Sequence, residues 1–289
     1  MQVLHPSRLG MTVLAAVLLV AQALVAQDPG RRDSAESVKV LEYLKADFKR
    51  NKQGNIRAVD FWSRKKVSTP EIVTIIRGLP DLIDLDLGYF NDEDTTLLAQ
   101  LREFSGLQKL TIDGNSLNDD DFKEIVNFPN LRELSLANTS IGDEGLKSLS
   151  SLKKLRRLEL QRTRVTGSGF AHLKKLKQLQ YLGLSYCPFE DQHAVLLSEF
   201  KNLRELWLVK TKISDAGLSA LEMLVNLRRL YLSETQITDE GLQKLSALKK
   251  LELLWVSETK VTEAGGAKLE ALLPNTSIHV KVFRLEPGP

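Results

Sequence analysis

The chain has 289 residues, 43% hydrophobic and 27% charged, a balance that supports a folded core and excludes a wholly disordered chain. A formal net charge of +3 gives no general attraction to nucleic acid or membranes. One cysteine excludes an intramolecular disulfide framework, and with only three tryptophans, where those three fall becomes the informative question.

Residues 1–26 read as a secretory signal peptide. Arg8 is the only charged side chain before Asp28, and it precedes an apolar run from Met11 to Ala26. Ala21-Gln22-Ala23 offers a cleavage site, and cleavage after Ala26 is the neighbouring option. The run is short for a membrane-spanning helix, which needs about 20 apolar residues, so an uncleaved anchor is the second reading. A secreted, periplasmic or cell-envelope protein is therefore expected, touching a membrane only if this segment stays uncleaved. Residues 27–33 form a polar, turn-rich linker. Residues 34–55 form an N-terminal cap: a helix capped by Ser34 and carrying Val38, Leu41, Leu44 and Phe48, then a hairpin turned at Gly54.

From residue 56 to 281 a single unit recurs. The pattern Leu-x-x-Leu-x-Leu begins at Leu107, Leu131, Leu155, Leu179, Leu203, Leu227 and Leu251, in steps of 24 residues. Leu82 and Ile56 start earlier units at spacings of 25 and 26, and Ile278 with Val280 marks a closing strand. That predicts nine full repeats plus the closing strand, followed by a tail at 282–289. Within a unit the period changes. Leu134 and Leu136 alternate, as a strand requires, whereas Leu146, Leu149 and Leu152 recur every three, as a helix requires. Asn118, Thr166, Ser214, Thr238 and Thr262 share one repeat position and are candidate N-caps, with Asp215 and Asp239 in the first turn behind them. One unit alone cannot bury both its leucine faces; a stack of units can.

The motif L-x-x-L-x-L-x-x-[TNC]-x-[IV]-T-D-x-G-L-x-x-L resembles the helix-containing leucine-rich repeat family, of the exported, bacterial-like type with a 24-residue period. The resemblance covers residues 56–280. It implies an α/β fold, a horseshoe-shaped leucine-rich repeat solenoid with a parallel β-sheet on the concave face and helices on the convex face. Asn115, Thr139, Thr163, Cys187, Thr211, Thr235 and Thr259 fill the position that the family usually gives to asparagine, where a polar group can satisfy backbone at the strand-to-loop bend. The repeat from Leu179 departs from the pattern, lacking both the Ser/Thr cap and the usual glycine. The two repeats from Ile56 and Leu82 carry longer loops, Trp62–Thr69 and Gly88–Asp94.

Catalysis finds little footing. Cys187 sits on a repeat position that calls for a small buried side chain. His172, His193 and His279 fall in three repeats with no third ligand in phase, and no phosphate-binding loop or nucleophile elbow is present. The chain is expected to be no enzyme and to need no cofactor or metal. The basic stretch Lys153–Arg164 has its charges alternating with repeat leucines, as on a solvated face.

Residues flanking the inner apolar positions of each strand point to the concave surface and line up in rows across the sheet. One row reads Asp60, Asp86, Thr111, Ser135, Glu159, Gly183, Trp207, Tyr231, Trp255, His279, and Trp62 opens the row beyond it. Trp207, Tyr231 and Trp255 thus stand on three adjacent strands, bordered by Tyr181, Arg229 and Glu205; exposed aromatics clustered on a polar background mark a binding surface. At the other end Asp60, Asp84, Asp86 and Asp113 form an acidic group that reads as ordinary solubility. The expected function is an exported recognition module that binds a protein, or an envelope glycan, on its concave face, with no nucleic acid. The alternative is a structural or assembly scaffold of the cell envelope, anchored by an uncleaved N-terminal segment.

Overall fold

The structure, a computed structural model, describes residues 32–61, 68–89 and 96–280. The expected signal segment, most of the linker, Trp62 and the 282–289 tail lie outside the described residues. No helix among the described residues is long and apolar enough to cross a membrane.

The N-terminal cap is a helix and a hairpin. Helix α1 (Ala35–Leu44) starts at Ser34, whose hydroxyl accepts from the Ser37 N–H at 3.3 Å. It ends earlier than its apolar spacing suggests, because Lys45 turns left-handed at φ 54° and its N–H closes on the Glu42 and Leu41 carbonyls. Phe48 therefore falls on strand β1 (Asp47–Arg50), opposite Val59 of β2 (Ile56–Asp60) in an antiparallel pair. Gly54, at φ 90°, makes the turn.

From β2 onward every pairing is parallel, and consecutive strands are neighbours throughout an open sheet of eleven. The remaining strands are three residues each: β3 (Asp84–Asp86), β4 (Lys109–Thr111), β5 (Glu133–Ser135), β6 (Arg157–Glu159), β7 (Tyr181–Gly183), β8 (Glu205–Trp207), β9 (Arg229–Tyr231), β10 (Leu253–Trp255) and β11 (Ser277–His279). Leu110, Leu134, Leu158, Leu182, Leu206, Leu230 and Leu254 pair in register at the strand centres, and all are buried. Their helix-side partners, such as Leu146, Leu149 and Leu218, are equally closed off, so each repeat's apolar area is covered by the repeats beside it.

The bend after each strand is held from inside. Thr139, Thr163, Thr211 and Thr235 are buried, and each hydroxyl donates to the carbonyl three residues back, at 2.6–2.8 Å. Asn115 donates to the Leu87, Ile112 and Asp113 carbonyls, and Cys187 donates to the Leu160 carbonyl at 3.0 Å. Burial pushes the Cys187 thiol up, which matches a structural sulfur rather than a nucleophile. The residue before this position is left-handed in repeat after repeat: Asn138, Arg162, Tyr186, Lys210, Glu234 and Glu258 all have φ between 55° and 62°.

On the helix side, the carboxylate at each helix start reaches into the following repeat. Asp215 accepts from the Thr238 N–H (2.8 Å) and hydroxyl (2.6 Å), and Asp239 does the same with Thr262 (both 2.7 Å). Asp191 likewise holds Ser214, and Asp143 holds Thr166. Ser214, Thr238 and Thr262 also cap α6 (Asp215–Leu221), α7 (Asp239–Gln243) and α8 (Glu263–Leu272), the helices that follow α2 (Thr69–Arg77), α3 (Leu97–Gln100), α4 (Asp143–Leu149) and α5 (Asp191–Leu197). Asn118 and Thr166 do not cap in this way. Their repeats fold instead as 3-10 turns, Asp121–Asn127 starting from Asp120 and Ser168–His172 starting from Gly167.

Each such aspartate needs a hole in the next repeat, and a glycine supplies it. A Cβ on Gly241 would lie 2.0 Å from Asp215 Oδ1, and one on Gly265 would lie 1.9 Å from Asp239 Oδ1. The irregular repeat obeys the same rule in reverse. Where the aspartate is replaced by Gly167, the next repeat carries His193 instead of glycine, and the His193 Cβ sits 2.7 Å from where a Gly167 side chain would begin. Phe170, Phe189 and Phe200 fill the interior there, packed edge to face at 6.0–6.1 Å.

Candidate recognition surface on the concave sheet

The inner leucines face the helices, so the residues between them form the concave surface, and the strand registers set their rows. Glu159 pairs with Gly183, Gly183 with Trp207, Trp207 with Tyr231, Tyr231 with Trp255 and Trp255 with His279. Neighbouring strands are about 4.8 Å apart, which is close to the separation of stacked rings.

The aromatic row resolves into two stacks. Trp207 lies on Tyr231 with centroids 3.8 Å apart and planes 19° apart; Trp255 lies on His279 at 4.2 Å and 13°. All are half-buried rather than fully open, since each covers a face of its neighbour. Glu205 ties the first stack to its border, accepting from Trp207 Nε1 at 2.7 Å and pairing with Arg229 at 3.4 Å. Burial, and then the Glu205 charge, push the Tyr231 hydroxyl up, so it stays neutral and able to donate.

Tyr181 sits differently from its expected companions. It is buried, at 8% exposure, with the Arg157 guanidinium 3.3 Å above its ring and its hydroxyl donating to Glu159. It supports the surface from below instead of presenting a ring to a partner. Glu159 fits because Gly183 has no side chain: a Cβ there would meet Glu159 Oε1 at 2.0 Å. Desolvation holds the Glu159 carboxyl above its usual range despite hydrogen bonds from Tyr181 and the Gln161 N–H.

The same row is acidic toward the N-terminal end. Asp47, Asp60, Asp84 and Asp86, with Phe48 and Lys109, line a cavity of about 370 Å³ between the hairpin and the sheet. Lys109 pairs with Asp84 at 3.4 Å, and burial pushes the Asp86 and Asp113 carboxyls up.

A third row went unnoticed in the sequence. It follows the left-handed position along the lip of the sheet. Tyr89 lies across Gly114, whose Cβ would strike the ring at 2.5 Å, and its hydroxyl accepts from Asn138 at 2.8 Å. Further along, Tyr186 is flanked by Arg162 (4.6 Å) and Lys210 (5.5 Å), and Lys210 pairs with Glu234 at 3.2 Å. The signal was available: these residues immediately precede the Asn/Thr/Cys position of each repeat.

Comparison with known proteins agrees with this architecture. The family model described as "Leucine Rich repeat" matches residues 129–150 and 224–246. Internalin C2 from Listeria monocytogenes superposes with a TM-score of 0.57 at 25% identity, covering 72% of this chain and 81% of that one. An internalin, inlF, from the same organism gives 0.54 at 23%, covering 71% of this chain, which spans 62% of the internalin's length. The TLR13 chain of a complex with ssRNA13 gives 0.54 at 22%, covering 77% of this chain and 32% of that one. At 22–23% identity those last two likenesses concern the fold alone. No curated protein sequence matches the chain.

Proposed function

Taking the chain as what its repeats and fold make it, a leucine-rich repeat protein, we propose that it is a non-enzymatic recognition module that binds a protein partner on the concave sheet. Trp207, Tyr231 and Trp255 are the anchors, with Arg229 and Glu205 as the polar border and Tyr181 holding the floor beneath Glu159. The observation that carries the reading is the locked geometry of these rings. Trp207 is fixed by its stack on Tyr231 and by its Nε1 hydrogen bond to Glu205, so little side-chain entropy is left to lose on binding. Trp, Tyr and Arg are also the residues that dominate binding hot spots. The apolar run Met11–Ala26 supports placing the module outside the cytoplasm.

The test replaces Trp207 and Trp255 by alanine together. Proteins retained by the wild-type chain from the envelope and medium of its source should be lost, each anchor costing about 2 kcal/mol or more of binding. Thermal stability should change little, because the buried leucines beneath are untouched. An unchanged set of retained proteins would sink the reading.

A further inference from the structure

The parallel sheet brings every strand start to one side of the solenoid and every strand end to the other, and the two sides carry opposite charge. On the strand-start side, the residue after the first repeat leucine is Arg132, Arg156, Arg204 or Arg228 in four of the repeats, all exposed. Their backbones lock the row: the Arg132, Arg156, Arg204 and Arg228 carbonyls each accept two N–H groups from the following strand, which fixes the spacing from one guanidinium base to the next. Beside them runs a second row at a 24-residue period, Lys153, Lys177, Lys201 and Lys249, also exposed. Lys177 pairs with Glu199 and Arg228 with Glu252, but among the described residues no ion pair forms at Arg132, Lys153, Arg156 or Arg204. The strand-end side carries Asp143, Glu144, Asp191, Asp215, Asp239 and Glu240. A net charge of +3 conceals this division.

The lysine row is interrupted once, at Val225, which is 52% exposed, with Met223 beside it at 56%. Exposed aromatics are absent from this side; Tyr89 and Tyr186 stand on the opposite lip. Without ring platforms the side lacks the stacking that single-stranded nucleic acid requires. Two regular rows of unpaired cations with an apolar pair among them match a planar, anionic surface that has hydrocarbon below its charges.

We propose that this strand-start side is a docking face for anionic lipid membranes, seating the solenoid on its side and leaving the concave sheet open at right angles to the bilayer. The proposal stands apart from the concave-face reading. Each near-surface cation is worth about fivefold in partitioning onto an anionic bilayer, and the attraction fades with salt.

The experiment measures sedimentation of the full chain with vesicles of phosphatidylcholine alone or mixed with phosphatidylglycerol. The apolar N-terminal run contributes to both, so the difference isolates charge. Wild type should prefer the anionic vesicles and lose that preference as salt rises. Lys153→Gln, Arg156→Gln, Lys201→Gln and Arg204→Gln together should reduce the preference more than about 100-fold, following the fivefold step per cation. Four equivalent changes on the other side, Lys123→Gln, Lys147→Gln, Lys212→Gln and Lys260→Gln, should leave it intact. Met223→Ser with Val225→Ser should remove the part of anionic-vesicle binding that survives high salt. Equal loss in both quadruple variants overturns the proposal, and so does dextran sulfate binding as tight as vesicle binding and indifferent to the Met223/Val225 pair.

Discussion

The solenoid carries two sets of partly buried carboxylates, and they live under opposite conditions. At the helix starts, Asp143 and Asp239 collect N–H and hydroxyl donors from the next repeat, and both are held below the usual carboxylate range. For Asp143 burial pulls upward, yet the donors at Thr166, Gly167 and Gly169 outweigh it; for Asp239 the Thr262 N–H leads. On the concave sheet, Asp86, Asp113 and Glu159 are pushed up, with desolvation the largest cause in each case. The first set is satisfied by the scaffold and joins repeat to repeat. The second is retained where the scaffold alone gains little from it, which is what a surface shaped for something else looks like.

The sharpest way to break this comparison is at the helix starts. Gly241→Ala puts a methyl group on Asp215 Oδ1, where only 2.0 Å is open. Overpacking of this kind should cost about 2–3 kcal/mol in denaturant unfolding. Asp215→Ala loses the two hydrogen bonds to Thr238 but empties the same space. The double variant should therefore be more stable than the sum of the two single losses allows, by about 1 kcal/mol or more of coupling. Strict additivity would show that the aspartate and the glycine do not share one site.

That pair also shows how far the sequence could be read. The 24-residue leucine phase placed the strands in register, because a buried face tolerates no slip. It also placed Cys187 and the threonines at the bend, because the position repeats. Coupling between repeats was harder to see. The aspartate at one helix start and the glycine about 26 residues later look like two separate motif letters, and the swap of Gly167 with His193 looks like a degenerate repeat. Only the 2.7 Å approach of His193 shows that one explains the other. Likewise, the rows of the concave face were legible from alternation, but whether a ring is open or covered depends on its neighbours. Tyr181 points outward as its position requires and is still buried, because Arg157 and Glu159 close over it. The end of α1 at Lys45 had no apolar signal at all.

A smaller effect is expected along the lip. Glu258 sits at φ 55° with an exposed side chain. A left-handed conformation costs an ordinary L-residue roughly 1–2 kcal/mol, and glycine avoids that while losing more chain entropy on folding. Glu258→Gly should therefore stabilise the protein by about 0.5–1 kcal/mol. A loss of stability in thermal unfolding would mean that the left-handed row is held by side-chain contacts of its own, as at Tyr89 and Asn138.

The finest test sets the two carboxylate sets against each other by pH. Glu159 has a folded pKa above its unfolded value, so between the two the folded state holds more proton, and stability falls as pH rises through that window. Glu159→Gln removes this fall, and its stability should decline less than wild type as pH rises from the unfolded carboxylate value toward neutrality. Asp143 behaves oppositely: its lowered pKa adds stability that is present above the unfolded value and lost as pH falls through the folded one. Asp143→Asn should accordingly flatten the acid limb of the profile from the other direction. Two single-atom-class substitutions on the same solenoid would then bend the pH–stability curve in opposite senses. If both bend it the same way, the concave carboxylates are scaffold after all, tied into the repeats as firmly as those at the helix starts.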